Sequence, residues 1–143
     1  IAMSTKLKQS LISGIAGTAV MTAIMFIAPM MGMPKMNPAA MLAGMMGIPV
    51  AMGWLMHFMI GVIFAASYVY LFHPKVNIKS KALKGALFGF AVFIFAQIAM
   101  AVMGAMMGGM PKPEGSMLLM AIGSIMGHII FGIVVALLVK ESN

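Results

Sequence analysis

The charged residues of this chain divide it into long apolar stretches. No charge falls between Lys8 and Lys35, between Lys35 and Lys75, between Lys84 and Lys112, or between Glu114 and Lys140. A hydrocarbon core of about 30 Å takes a helix of about 20 residues, and each gap can hold one. A charge at the centre of such a helix costs on the order of 2.5–3.5 kcal/mol on insertion scales, so charges collect at the ends. The pattern predicts membrane-spanning helices over residues 11–31, 49–72, 82–107 and 116–139.

The second gap is longer than one span needs. Its early part runs Asn37-Pro38-Ala39-Ala40-Met41-Leu42-Ala43-Gly44. Asn is a good N-cap and Pro suits the first helical turn, so a short interfacial helix is expected there, ending near Gly47 and Pro49. The first apolar stretch is too long for the core of a secretory signal and lacks a small-residue cleavage site, so it is read as a retained helix.

Composition agrees with this division. The chain is 63% hydrophobic and 8% charged, with a mean hydropathy of +1.11. Soluble domains carry roughly 25% charged residues, and a small domain has too much surface to hide this much apolar side chain from water. The expected fold is an all-α membrane protein, a four-transmembrane-helix bundle within one integral membrane domain. The net charge of +7 comes from nine lysines, because the chain has no arginine. With four spans, Lys6, Lys8, Lys75, Lys79, Lys81, Lys84 and Lys140 fall on one side and Lys35 and Lys112 on the other. The positive-inside bias puts the first group, and both termini, in the cytoplasm. These lysines suit topology and anionic lipid, and nucleic acid is not an expected partner.

The chain also reads as a tandem of two helical hairpins, about 10–73 and 82–140, joined by a cytoplasmic loop, 74–81. The outer connections match: Met30-Met31-Gly32-Met33-Pro34-Lys35, and Met106-Met107-Gly108-Gly109-Met110-Pro111-Lys112 with one extra Gly. In the second helix Gly53, His57, Gly61 and Ala65 recur every four residues; in the fourth, Ser124, His128, Gly132 and Ala136 do the same. A four-residue step keeps side chains on one face, so each helix bears a stripe of small residues interrupted by one His. Both hairpins start and end on the same side, which makes the repeat parallel, with its pseudo-two-fold axis along the membrane normal. The first and third helices match poorly.

A small stripe lets membrane helices approach closely, and a His can hydrogen-bond across such an interface. An ionisable group within the membrane is also a candidate functional site. The sharpest expectation is haem b, with His57 and His128 as axial ligands of the iron. Gly53, Gly61, Ser124 and Gly132 would leave room for the porphyrin, and Lys35 and Lys112 would meet its propionates. Such a protein would serve electron transfer or haem handling, in a membrane redox complex or as a homodimer. Counted inward, His128 is about 6 Å deeper than His57, at 1.5 Å per residue.

The alternative rests on 21 methionines. Thioether sulfur is a soft ligand that suits Cu(I). Met30, Met31, Met33, Met36, Met45, Met46, Met106, Met107 and Met110 sit toward the outer ends and are the candidate copper ligands. Methionine is also an adaptable packing residue, and it occurs mid-span at Met21, Met25, Met59 and Met103. A third reading is a structural or assembly subunit without a cofactor.

His73 precedes Pro74 at a helix end, where it complements the dipole. Trp54, Tyr68 and Tyr70 are expected at the interfaces. Gln97 is expected to hydrogen-bond a neighbouring helix, and Gly85 with Gly89, or Gly104 with Gly108, to mark a close crossing or a dimer contact. The only acids are Glu114 and Glu141, one on each side, and the chain has no cysteine, so no catalytic constellation is expected.

The run from Met30 to Met36, the following Ala40-Met41-Leu42, and Gly53-Trp54-Leu55-Met56-His57-Phe58-Met59-Ile60-Gly61 resemble a family of small bacterial four-helix membrane proteins of unknown function. The resemblance covers most of the chain, and the Gly-Trp-x-x-His-Phe segment is its most specific part. It implies a bacterial cytoplasmic-membrane protein and supplies no activity or assigned site.

Overall fold

Ser4 accepts a hydrogen bond from the Leu7 amide, 3.3 Å, and so starts the first helix well before the apolar stretch begins. The computed structural model describes residues 3–109, 112 and 114–140. It is all-helical in its regular structure. Helix α1 spans Thr5–Ile27 and ends in a single 3-10 turn, Ala28–Met31. Helix α2 spans Pro38–Met46; Asn37 caps it by accepting from the Ala40 amide, 3.0 Å, and Gly47 ends it at φ 65. Helix α3 spans Val50–Ser67 and runs on through a π turn, Tyr68–Phe72, to Lys75. Helix α4 spans Lys81–Met106, and α5 spans Met117–Leu138. Counting their terminal turns, α1, α3, α4 and α5 are long and apolar enough to cross a membrane, as their charge-free stretches predict.

Helix α2 was expected to lie at the interface. It packs on α3, burying Ala39, Leu42, Ala43 and Met45. A β-carbon at Gly53 would run into the Ala39 carbonyl oxygen, so the absence of a side chain there allows the contact.

The bundle is built from two close crossings. In the first hairpin α1 meets α3 where Gly14 lies on the backbone of Gly61 and Val62, and Gly61 lies on the Thr18 hydroxyl. In the second, α4 meets α5 where Gly85 and Gly89 lie on the backbone at Gly132 and His128. Small residues let the backbones approach, which is how membrane helices associate without a hydrophobic driving force between them. Gly85 and Gly89 therefore form an intramolecular crossing. Gly108, at φ 89, lies just beyond the end of α4.

The two crossings are copies. Each second partner stands 71 positions after the first (14 to 85, 61 to 132, 57 to 128). The repeat thus extends into the first and third helices, where hydropathy does not reveal it. The copies then join unequally. Between α1 and α5, Gly17 accepts the Phe131 ring and Val135. Position 88, the counterpart of Gly17, is Phe. It holds α4 off α3 through an aromatic wedge, with Phe88 centred 5.0 Å from Tyr68 and 5.2 Å from Phe72. Tyr68 was expected at an interface; it is 1% exposed, because this wedge encloses it.

The lysine-rich end is tied by side chains. Ser80 caps α4, and two lysines of its first turns reach across to chain ends. Lys81 Nζ donates to the Val139 carbonyl, 3.1 Å, and Lys84 Nζ to the His73 carbonyl, 2.9 Å. Each supplies a cation and a donor to carbonyls that a helix C-terminus leaves open. Lys84 is buried by this arrangement.

Candidate histidine and methionine site

The four stripe residues of α3 are its whole buried face: Gly53, His57, Gly61 and Ala65. The stripe turns His57 toward α1, where its Nε2 shares a hydrogen bond with the Thr22 hydroxyl, 3.0 Å. Trp54 and Phe58 flank the ring edge-on, with centroids 6.0 and 5.9 Å away.

His128 is half-buried on α5. Its Nδ1 donates to the Ser124 carbonyl, 2.7 Å, which fixes the tautomer and leaves the lone pair on Nε2. Ser124 Oγ is 3.5 Å from that Nδ1 and also 3.5 Å from Gln97 Nε2 of α4, both at the limit of hydrogen bonding. Gln97 thus reaches a neighbouring helix, as expected. The Phe93 ring packs edge-on to His128, 5.9 Å between centroids.

His57 and His128 hold equivalent places in the repeat. Each sits one turn before the crossing glycine of its own hairpin, so the repeat matches their depths better than counting from the helix ends suggests. Thr22, His57, Gln97, Ser124 and His128 bring polar groups from all four long helices to the middle and lysine-poor half of the bundle.

The glycines beside the histidines do not leave the space a porphyrin was expected to use. The Gly53 face is filled by α2, the Gly61 face by α1 and the Gly132 face by α4. Two clefts lie at the other end. One, of about 320 Å³, runs between Phe72 and Phe88; another, of about 50 Å³, adjoins Lys6 and Lys140. Lys35 and Lys112 are both exposed.

The methionines divide into two groups. Met30, Met31 and Met106 are 80 to 86% exposed, and Met46 and Met107 are exposed beside them. Met45, on α2, is buried. Met110 lies outside the described residues. Met33 and Met36 turn inward, because the α1–α2 connection folds over α5. A β-carbon at Gly123 would stand 3.3 Å from the Met33 methyl and 3.4 Å from the Met36 sulfur. One turn deeper, Gly127 faces Met21 at 3.5 Å and Met25 at 3.8 Å. Four thioether side chains therefore lie along Gly123 and Gly127, the stretch of α5 that carries Ser124 and His128.

Sequence reasoning passed over Met21 and Met25, since their position on α1 looks like ordinary apolar packing. The available signal was the glycine pair Gly123 and Gly127, whose missing side chains leave a groove that long flexible side chains can fill. Among the described residues, no three His, Cys, Asp or Glu side chains come together as a metal cluster.

The family's profile matches residues 4–142 of this chain. The chain belongs to DUF6789, a family of unknown function. No curated protein and no solved structure matches it. Membership in DUF6789 covers both hairpins and α2, so the geometry above belongs to one family unit rather than to a join between two.

Proposed function

We propose that this DUF6789 protein binds Cu(I) in the lysine-poor half of its bundle, using His57, His128 and the thioethers of Met21, Met25, Met33 and Met36. The observation that carries this is the placement of those four methionines against Gly123 and Gly127, on the stretch of α5 that also carries His128, whose Nδ1 is already bonded to backbone. A metal-ligating His commonly spends one nitrogen on such a partner and ligates with the other. Sulfur and imidazole together suit a soft monovalent ion. The exposed Met30, Met31 and Met106 form a thioether rim at the same end and would receive the ion. With seven lysines against two, that end faces outward from a bacterial cytoplasmic membrane, and both termini face the cytoplasm.

The test is anaerobic titration of the purified protein with Cu(I) against a chromophoric chelator. One ion per chain is expected. His128→Ala or Met36→Leu should weaken binding by about 10-fold or more, on the scale seen for changes around metal sites. Unchanged affinity in the His57→Ala, His128→Ala double variant removes the proposal.

Haem b remains the second reading. It is favoured by the repeat, which sets two imidazoles at matching depth on α3 and α5, two helices that do not pack side by side. It requires the contacts at Gly53, Gly61 and Gly132 to open. A Soret band from protein made in haem-replete cells, lost in both histidine variants, would transfer the site from copper to haem.

A further inference from the structure

At the lysine-rich end the start of α1, the end of α3 and the end of α5 border a small, partly open cleft of about 50 Å³. Lys6, Gln9, His73 and Lys140 line it on a floor shared with Val69, Pro74 and Val139. Two lysines, a histidine and a glutamine come from these three segments, so folding alone brings them together. The segments that carry them are tied together. The Lys140 amide donates to Gln9 Oε1, 3.0 Å, which ties the end of α5 to α1. Lys6 Nζ lies over the Tyr70 ring, 5.5 Å from its centroid. Lys84 takes the His73 carbonyl, which fixes the turn carrying the imidazole. Among the described residues no carboxylate lines the cleft, and Glu114 lies at the opposite end of the bundle.

We infer that this cleft binds a phosphate group. Two ammonium groups, an imidazole and a side-chain amide offer several donors and concentrated positive charge, which is what a phosphate oxygen set recognises. The charge bias puts this end at the cytoplasmic leaflet, where anionic headgroups are available. Free phosphate presents the same oxygens. The site is far from His57 and His128 and is independent of what they bind.

The full chain in nanodiscs of phosphatidylcholine would be titrated with inorganic phosphate at constant ionic strength and followed by ³¹P NMR. In parallel, protein reconstituted with phosphatidylcholine and phosphatidylglycerol would be released for native mass spectrometry. Saturable phosphate binding in the first arm identifies the free anion. Selective retention of one phosphatidylglycerol in the second identifies the headgroup. In either arm the Lys6→Gln, Lys140→Gln double variant should lose about tenfold in binding, since each lysine near an anionic surface contributes measurably. The Lys6→Arg, Lys140→Arg pair should keep it, and this pair decides the matter if the glutamine variant does not fold. Lys79→Gln, which removes a lysine outside the cleft, should change nothing. No saturable phosphate and no selective lipid would overturn the site. Equal loss in Lys79→Gln would also overturn it, since the attraction would then be diffuse.

Discussion

Thr22 and Phe93 occupy the same place in the two hairpins, and each meets the histidine of its own hairpin. Thr22 hydrogen-bonds His57, whereas Phe93 packs its ring edge against His128. With Phe93 where the first hairpin has Thr22, His128 bonds its own helix, through the Ser124 carbonyl. The two halves of the repeat therefore hold their imidazoles differently.

Replacing Thr22 by Val removes one partner of the His57 hydrogen bond without changing side-chain shape. Polar contacts between membrane helices average about 0.6 kcal/mol and reach about 1.7 kcal/mol. The loss should fall in that range by unfolding in mixed micelles. Phe93→Leu should leave His57 unaffected, so a ¹⁵N imidazole spectrum should show its resonance moving only in the Thr22 variant.

The crossing glycines should be intolerant of even one methyl. Ala at Gly89 would drive its β-carbon into the His128 carbonyl, and Ala at Gly132 would meet the backbone of Gly85 and Gly89. Overpacking of this kind costs roughly 1–3 kcal/mol or more, because backbone cannot swing aside as a side chain can. Gly44 supplies the contrast. It lies within α2, and nothing stands within 4 Å of the position its β-carbon would take. Gly44→Ala should be neutral or stabilising by about 0.5–1 kcal/mol. Thermal unfolding in detergent would rank the three variants.

Lys84→Met should destabilise the bundle even though it replaces a charge in an apolar setting. The ammonium donates to the His73 carbonyl at the end of the π turn. Hydrogen bonds to charged groups contribute about 1.5–3 kcal/mol. Hydrogen exchange should show the α3 end loosening first, with the α1–α3 crossing unchanged. Uniform loosening would assign Lys84 a different role.

The methionine rim and the inner methionines should separate kinetically. Changing Met30, Met31 and Met106 together to Leu removes exposed sulfur without touching His57 or His128. Loading with Cu(I) should slow in stopped-flow measurements while equilibrium affinity stays within about twofold, since affinity resides in the inner set. A fall in affinity equal to that of Met36→Leu would place the binding site at the rim.

Much of this was legible along the chain. Charge segregation marked four spans, because an unpaired charge in hydrocarbon is too costly to hide. Asn37 and Gly47 bounded α2, because caps act within a few residues of backbone. The stripe from Gly53 to Ala65 named the buried face of α3, because a four-residue step stays on one side of a helix.

Tertiary structure decided the rest. Nothing local tells Gly14 that Gly61 will lie against it, or Gly17 that its counterpart Phe88 will hold the other pair of helices apart. In lipid an exposed Leu and a buried Leu are equally comfortable, so hydropathy cannot say which faces meet. Shape decides that, through backbones that approach only where side chains are missing. The same packing buried Lys84, enclosed Tyr68 and brought Met21, Met25, Met33 and Met36 onto one stretch of α5. Those placements depend on contacts between residues far apart in sequence, and no periodicity within a single helix encodes them.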